Sequence, residues 1–165
     1  PYTTLFRSRE TARAIRQATG IDHDRVAFES AWRERSFGVF QGLSYEEVYG
    51  THPEFAVGEV GVAALEHTPD GGESVLDARK RVLAGWDELL AGLDGGTVAV
   101  ATHGGPIHVV AAHVANRDLV TELDGNHTEN GAVYEFHVDG DRTTADREGV
   151  VPPGAPAPGE TGGIR

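Results

Sequence analysis

The chain is expected to fold as an α/β sandwich, and three stretches of sequence carry that expectation. Residues 97–102 (TVAVAT) form a short continuous apolar run bounded by glycines, the pattern of a strand buried on both faces. The run leads through His103-Gly104-Gly105 into a helical stretch over 106–115 with proline at its first position. Upstream, Val75, Leu76, Val82, Leu83, Trp86, Leu89 and Leu90 recur at helical spacing and line one face. Helices alternating with buried strands favour helices layered on a sheet. At 165 residues and 39% apolar composition, the chain is the size of one domain and can bury a core.

Taken in order, residues 8–20 read as a short helix. Ser8 is its expected N-cap, Glu10 lies in the first turn, and Gly20 is the stop. A short strand is expected over 25–28. Residues 32–42 (WRERSFGVFQG) have neither period and contain two glycines, so they read as a loop. Ser44 opens a helix, with Glu47 completing a capping-box pattern. Residues 53–72 are irregular and Gly-rich, and Ser74 with Asp77 starts the long helix that Gly92 ends. Residues 132–138 and 142–147 flank Asp139-Gly140-Asp141 as a hairpin. From 151 to 165 the Pro/Gly-rich sequence is expected to be a disordered tail. Few strands are visible before Thr97, so a central strand is expected to be missing from the start.

The first eight residues, PYTTLFRS, look like the translation of a common sequencing adapter, and the chain has no methionine. Residues 1–8 are therefore expected to be non-native and 9–150 to form the domain. Asp and Glu number 26 against 14 Lys and Arg, a formal net charge of −12. Such a surface repels a phosphate backbone, which argues against a nucleic-acid partner. No apolar stretch is long enough for a membrane helix. With no signal segment, the default placement is cytoplasmic. The absence of cysteine excludes a thiol nucleophile, a disulfide framework and a Cys-ligated metal. His103, His108 and His113 are five residues apart, about 140° of helix rotation per step, so they do not share a face as metal ligands would. Neither a metal nor a cofactor is called for.

Two places carry chemistry. His103 stands at the carboxyl end of a buried strand, where open α/β sheets bind ligands. Gly104 and Gly105 allow close backbone approach, and the free N–H groups of a helix start favour an anion such as phosphate. Such a histidine can donate a hydrogen bond to the anion or act in acid–base or nucleophilic chemistry; the plainer alternative is a surface histidine beside turn glycines. Glu34 and Arg35 lie in an aperiodic loop with Phe37 and Phe40, the make-up of a site wall carrying a general acid. The plainer alternative there is a solvated ion pair.

Four blocks taken together resemble the histidine phosphatase superfamily, the phosphoglycerate-mutase-like proteins. They are LFRSRETA (5–12), WRERSFGVFQG (32–42), PDGGES (69–74) and ATHGGPIHVV (101–110). The resemblance implies a three-layer α/β/α sandwich and phosphoryl transfer through a phosphohistidine, acting on a small phosphorylated substrate. It makes Glu34 the proton donor to the leaving oxygen and His103 the second histidine of the site. Arg7 aligns with a phosphate-clamping arginine, and Arg35, Gly104 and Gly105 fall at the pocket wall. The family's nucleophile sits in an Arg-His-Gly motif, which occurs nowhere in this sequence. The expectation is a phosphomonoesterase parent and a chain that is itself nearly inactive. Mutase-type transfer and a non-catalytic phospho-ligand-binding relative are the alternatives.

Overall fold

The computed structural model describes residues 2–125 and 127–153, with side chains from Ser8 onward. Helix α1 spans Tyr2–Thr19. It passes without a break through Ser8, which is an interior residue rather than the expected N-cap. Its end is where the sequence puts it: Gly20 takes φ +69° and its N–H donates to the Arg16 carbonyl at 3.0 Å. The strand expected over 25–28 does not form. A 3-10 turn occupies His23–Arg25, and Val26 is extended without a ladder partner among the described residues. Phe28 is 61% exposed, with the Arg9 guanidinium 5.0 Å from its ring centre.

The loop over 32–42 follows a 3-10 turn, Ser30–Trp32, and contains another, Gly38–Phe40. Ser44 then caps α2 (Tyr45–Thr51) with both arms of the capping box in place. Its hydroxyl accepts from the Glu47 N–H at 3.2 Å, and its own N–H donates to Glu47 Oε2 at 2.7 Å. The irregular segment resolves into two short helices, α3 (Val57–Val60) and α4 (Val62–Glu66), broken at Gly61. At φ +60°, ψ −130°, that glycine holds a conformation closed to other residues.

Helix α5 (Val75–Ala91) begins at Ser74, whose hydroxyl accepts from the Asp77 N–H at 3.0 Å. Its expected apolar face is largely the one buried, through Val75, Val82 and Trp86 with Leu83 and Leu90 beside them; Leu76 faces solvent instead. Helix α6 (Gly104–Val114) lies across α5 and supplies Val109, Val110 and Ala112 to the same core. It starts two residues earlier than expected, with His103 as N-cap and Pro106 at its third position. Proline fits there because a first-turn N–H has no intrahelical acceptor. Helix α7 (Leu119–Gly125) was not foreseen; Leu119 closes the core, and Asp118 accepts from the Thr121 N–H at 3.0 Å. Val82 is almost wholly buried between α5 and α6. Truncating it to alanine is expected to cost about 2 kcal/mol, read as a fall in urea midpoint at constant m.

Residues 97–102 depart most from expectation. They form no strand, and Val98 and Val100 are 47% and 39% exposed. Burial on both faces needs a hydrogen-bonded neighbour on each side to satisfy the backbone. No strand flanks the run among the described residues, so its polar backbone stays with solvent. The sheet that does form is the hairpin, β1 (Val133–Asp139) and β2 (Arg142–Val150), antiparallel with Asp139 opposite Arg142. Gly140, at φ +58°, makes its two-residue turn possible. The hairpin docks through Phe136, whose ring meets Trp86 edge-on at 5.6 Å. Of the expected tail, residues 154–165 lie outside those described.

Candidate functional site

The start of α6, the loop over 32–42, α2 and α5 converge on one cavity. The mortar is polar and mostly backbone. The Val39 N–H donates to the Asp70 carbonyl at 2.9 Å, and the Glu73 N–H donates to the Ser36 carbonyl at 2.9 Å. Glu73 then grips Arg81 of α5 through two parallel bonds, Nε to Oε1 at 2.8 Å and Nη2 to Oε2 at 2.6 Å. From that clamp Arg81 Nη1 donates to the carbonyls of Ala31 at 2.7 Å and Arg33 at 3.1 Å. A carboxylate gripping an arginine fork is the strong, directional form of an ion pair. Here it fixes the backbone on the N-terminal side of Glu34. On the other flank the Thr102 hydroxyl donates to the Trp32 carbonyl at 2.6 Å, tying the residue before His103 to the same loop.

The result is a cavity of about 400 Å³. It is lined by Glu34, Gly104, Gly105 and Thr128, and by the aromatic side chains of Phe37, Tyr45, Tyr49 and Phe55. Glu34, half-buried, sits at the N-terminus of α6. Its Oε2 accepts from the Gly105 N–H at 3.3 Å, and its Oε1 accepts from the Arg35 N–H at 2.9 Å. A Cβ on Gly105 would overlap Glu34 Oε1, so the glycine is what lets the carboxylate approach. An anion on free N–H groups at the positive end of a helix is favourable; the protein's own carboxylate occupies that seat.

Arg35 is half-buried against Phe37. Its guanidinium lies 4.2 Å over the Phe37 ring, and Nη1 donates to the Glu73 carbonyl at 3.3 Å. Burial lowers its pKa from the usual arginine value, opposed by the nearby Tyr49 and Glu34, and a guanidinium stays charged throughout the working range. Burial also raises the Tyr49 phenol, which therefore faces the cavity as a neutral donor.

Of the residues singled out from sequence, Glu34, Arg35, Gly104 and Gly105 meet at this cavity. His103 is the N-cap residue of α6, half-buried, immediately before the two lining glycines, and is not itself among the lining residues. Arg7 lies within α1, and its side chain is outside those described. Sequence reasoning missed Glu73 and Arg81, whose eight-residue separation crosses a helix start. It also passed over His108, Glu122 and Thr128. His108 had one signal, a polar ring inside an otherwise apolar helix. Among the described residues no cluster of three or more His, Asp or Glu side chains is placed to hold a metal ion, and no helix is long and apolar enough to cross a membrane.

The bifunctional protein Rv2228c of Mycobacterium tuberculosis is 30% identical over 135 residues, covering 82% of this chain and 33% of that protein. An uncharacterized protein of Mycobacterium bovis matches to the same extent, so the chain spans about a third of the length of the curated relatives it matches. YhfR of Bacillus stearothermophilus superposes with a TM-score of 0.72 at 23% identity, covering 88% of this chain and 70% of that one. A mycobacterial glucosyl-3-phosphoglycerate phosphatase, Rv2419c, in complex with inorganic phosphate superposes with a TM-score of 0.69 at 22% identity, over 88% and 73% of the two chains. These likenesses show the α/β fold class that the sequence predicts. The profile of the histidine phosphatase superfamily (branch 1) matches residues 2–150, and the chain belongs to that superfamily.

Proposed function

We propose that the cavity is a phosphomonoester site in which Glu34 is the proton donor to the leaving oxygen. The observation that carries this reading is the Glu34 carboxylate on the Gly105 N–H at the start of α6. It puts a titratable acid beside the place where backbone N–H groups and the helix dipole favour a phosphoryl group. In this reading the phosphoryl oxygens take over the Gly104 and Gly105 N–H groups. His103 and Arg7 hold the phosphoryl group, and the Arg35 cation faces it from the wall. Glu34, displaced by one rotamer, takes up a proton from solvent and hands it to the leaving oxygen as water attacks phosphorus, so that an alcohol and inorganic phosphate are released. The phosphatase named among the structural relatives, solved with inorganic phosphate, supports a phosphoryl ligand. The phosphoryl acceptor of the family is a histidine in Arg-His-Gly, a motif this sequence lacks. The chain by itself is therefore a binder of phosphomonoesters and a very slow hydrolase.

The test pairs phosphate binding with turnover of p-nitrophenyl phosphate. Inorganic phosphate is expected to bind the 165-residue chain, while turnover falls on the order of 10⁴–10⁶ below that of a family member with its nucleophile. Replacing Glu34 with glutamine is expected to tighten phosphate binding, because it removes the competing anion from the same seat. Brisk nitrophenol release that survives His103→Ala would end this assignment. So would phosphate affinity indifferent to Glu34→Gln.

A further inference from the structure

We propose that Thr128 is a positioning residue of this cavity, its hydroxyl aimed by the buried His108–Glu122 pair to donate a hydrogen bond to a bound phosphoryl oxygen. The proposal rests on the phosphomonoester reading above. It begins from an expense in the core that the site as so far described does not use. Helix α6 is apolar, yet it buries His108 to 6% exposure, and α7 buries Glu122 to 2%. Removing an imidazole and a carboxylate from water is costly unless both are fully engaged.

They are engaged in a row. His108 Nδ1 is 3.0 Å from Glu122 Oε1, and since a carboxylate only accepts, Nδ1 carries the hydrogen. The second ring nitrogen, Nε2, is 2.8 Å from Thr128 Oγ1. Glu122 Oε2 accepts no hydrogen bond, but Arg117 Nε faces it at 3.2 Å. The same guanidinium also pairs with Glu148. Two carboxylates thus share one arginine. The proposal requires that Nε2 also carry a hydrogen and donate it to Oγ1, which leaves the threonine O–H free to turn to another acceptor.

The acceptor the geometry offers is in the cavity. Thr128 lines it, whereas its remaining protein neighbour, Tyr134 Oη, is at the long limit of 3.4 Å. Thr128 also stands against the start of α6: its Cβ and Oγ1 are 3.7 and 4.0 Å from where a Cβ on Gly104 would be. The next residue, Gly105, holds Glu34. The hydroxyl therefore stands beside the first glycine of the anion seat, which a phosphoryl group would enter by displacing the Glu34 carboxylate. A threonine serving only to cap a buried histidine has no need of the cavity wall.

The experiment titrates inorganic phosphate into the full chain, Thr128→Val and Thr128→Ser, with urea unfolding of each and ¹⁵N shifts of the His108 ring. Thr128→Val is expected to weaken phosphate binding roughly tenfold, the usual scale for one hydrogen bond to a charged group. Thr128→Ser restores it, and the ring nitrogens of the phosphate complex show the imidazolium pattern. Unchanged affinity in Thr128→Val would overturn the proposal, as would equal weakening in valine and serine variants, which marks a packing role. If the parent chain binds phosphate and only these comparisons fail, the phosphomonoester reading stands without Thr128. If the parent chain binds none, both fall together.

Discussion

Gly38→Ala is expected to lose on the order of 4 kcal/mol of stability, a large share of what a domain of this size holds. Two separate penalties combine. Gly38 sits at φ +52°, a region that side chains with a Cβ rarely adopt. A Cβ there would also overlap the Asp70 carbonyl oxygen and approach the Gly72 nitrogen to 2.6 Å. Both neighbours are backbone, so no side chain can swing away to relieve the contact. They are pinned by the bonds that lace the loop after Glu34 to the turn before α5, Val39 to Asp70 and Glu73 to Ser36. The alanine protein must either part these two segments or fail to fold. Urea unfolding measures the first, and a midpoint within error of the parent protein would show that the two backbones yield more readily than their bonding suggests.

Arg81→Ala is expected to cost about 3 kcal/mol, the low end of the range for breaking a largely buried ion pair, because Arg33 Nη2 still faces Glu73 Oε1 at 4.0 Å. Glu73 would keep a mostly buried carboxylate, and the carbonyls of Ala31 and Arg33 would lose their donor. The effect has a signature in pH. The hydrogen bonds from Arg81 hold the Glu73 carboxyl below its ordinary value of 4.5. A depressed acid stabilises the fold above its unfolded value, and that contribution vanishes as pH falls through the lower folded value. The gap between the parent protein and Arg81→Ala should therefore be widest above pH 4.5 and close progressively in more acid solution. A gap independent of pH would assign the loss to the carbonyl contacts and not to the carboxylate. Phosphate affinity should fall in the same variant, because Arg81 holds the Arg33 carbonyl and with it the backbone that presents the Arg35 cation to the proposed site.

Much of this was legible residue by residue. Ser44 with Glu47, Ser74 with Asp77, Gly20 and the Asp139-Gly140-Asp141 turn each act where the sequence places them. These devices are local: a hydroxyl reaches an N–H three residues on, or a glycine takes a positive φ, whatever surrounds it. Apolar spacing likewise identified α5, since one side of a regular helix must find a core. It misplaced Leu76, because spacing defines a stripe and not its edge. The run at 97–102 was misread for the opposite reason. Its composition suits a strand buried on both faces, yet a strand exists only with a neighbour, and pairing is not a property of one segment.

The sequence by itself determined the caps at Ser44 and Ser74, the hairpin turn, the long amphipathic helix and the family, because each rests on short-range chemistry or on motifs in a set order. It also picked out Glu34, Arg35, Gly104 and Gly105 as companions. The tertiary structure decided how they meet: the Glu34 carboxylate on the Gly105 N–H across the cavity, and the Glu73–Arg81 clamp that holds the loop in place. It alone revealed the row from Glu122 through His108 to Thr128. Those residues are 14 and 20 positions apart along the chain. No local rule links them. They are joined because burying an imidazole and a carboxylate is tolerable only when each finds the other, and that choice is made when α6, α7 and the segment before β1 close on one core.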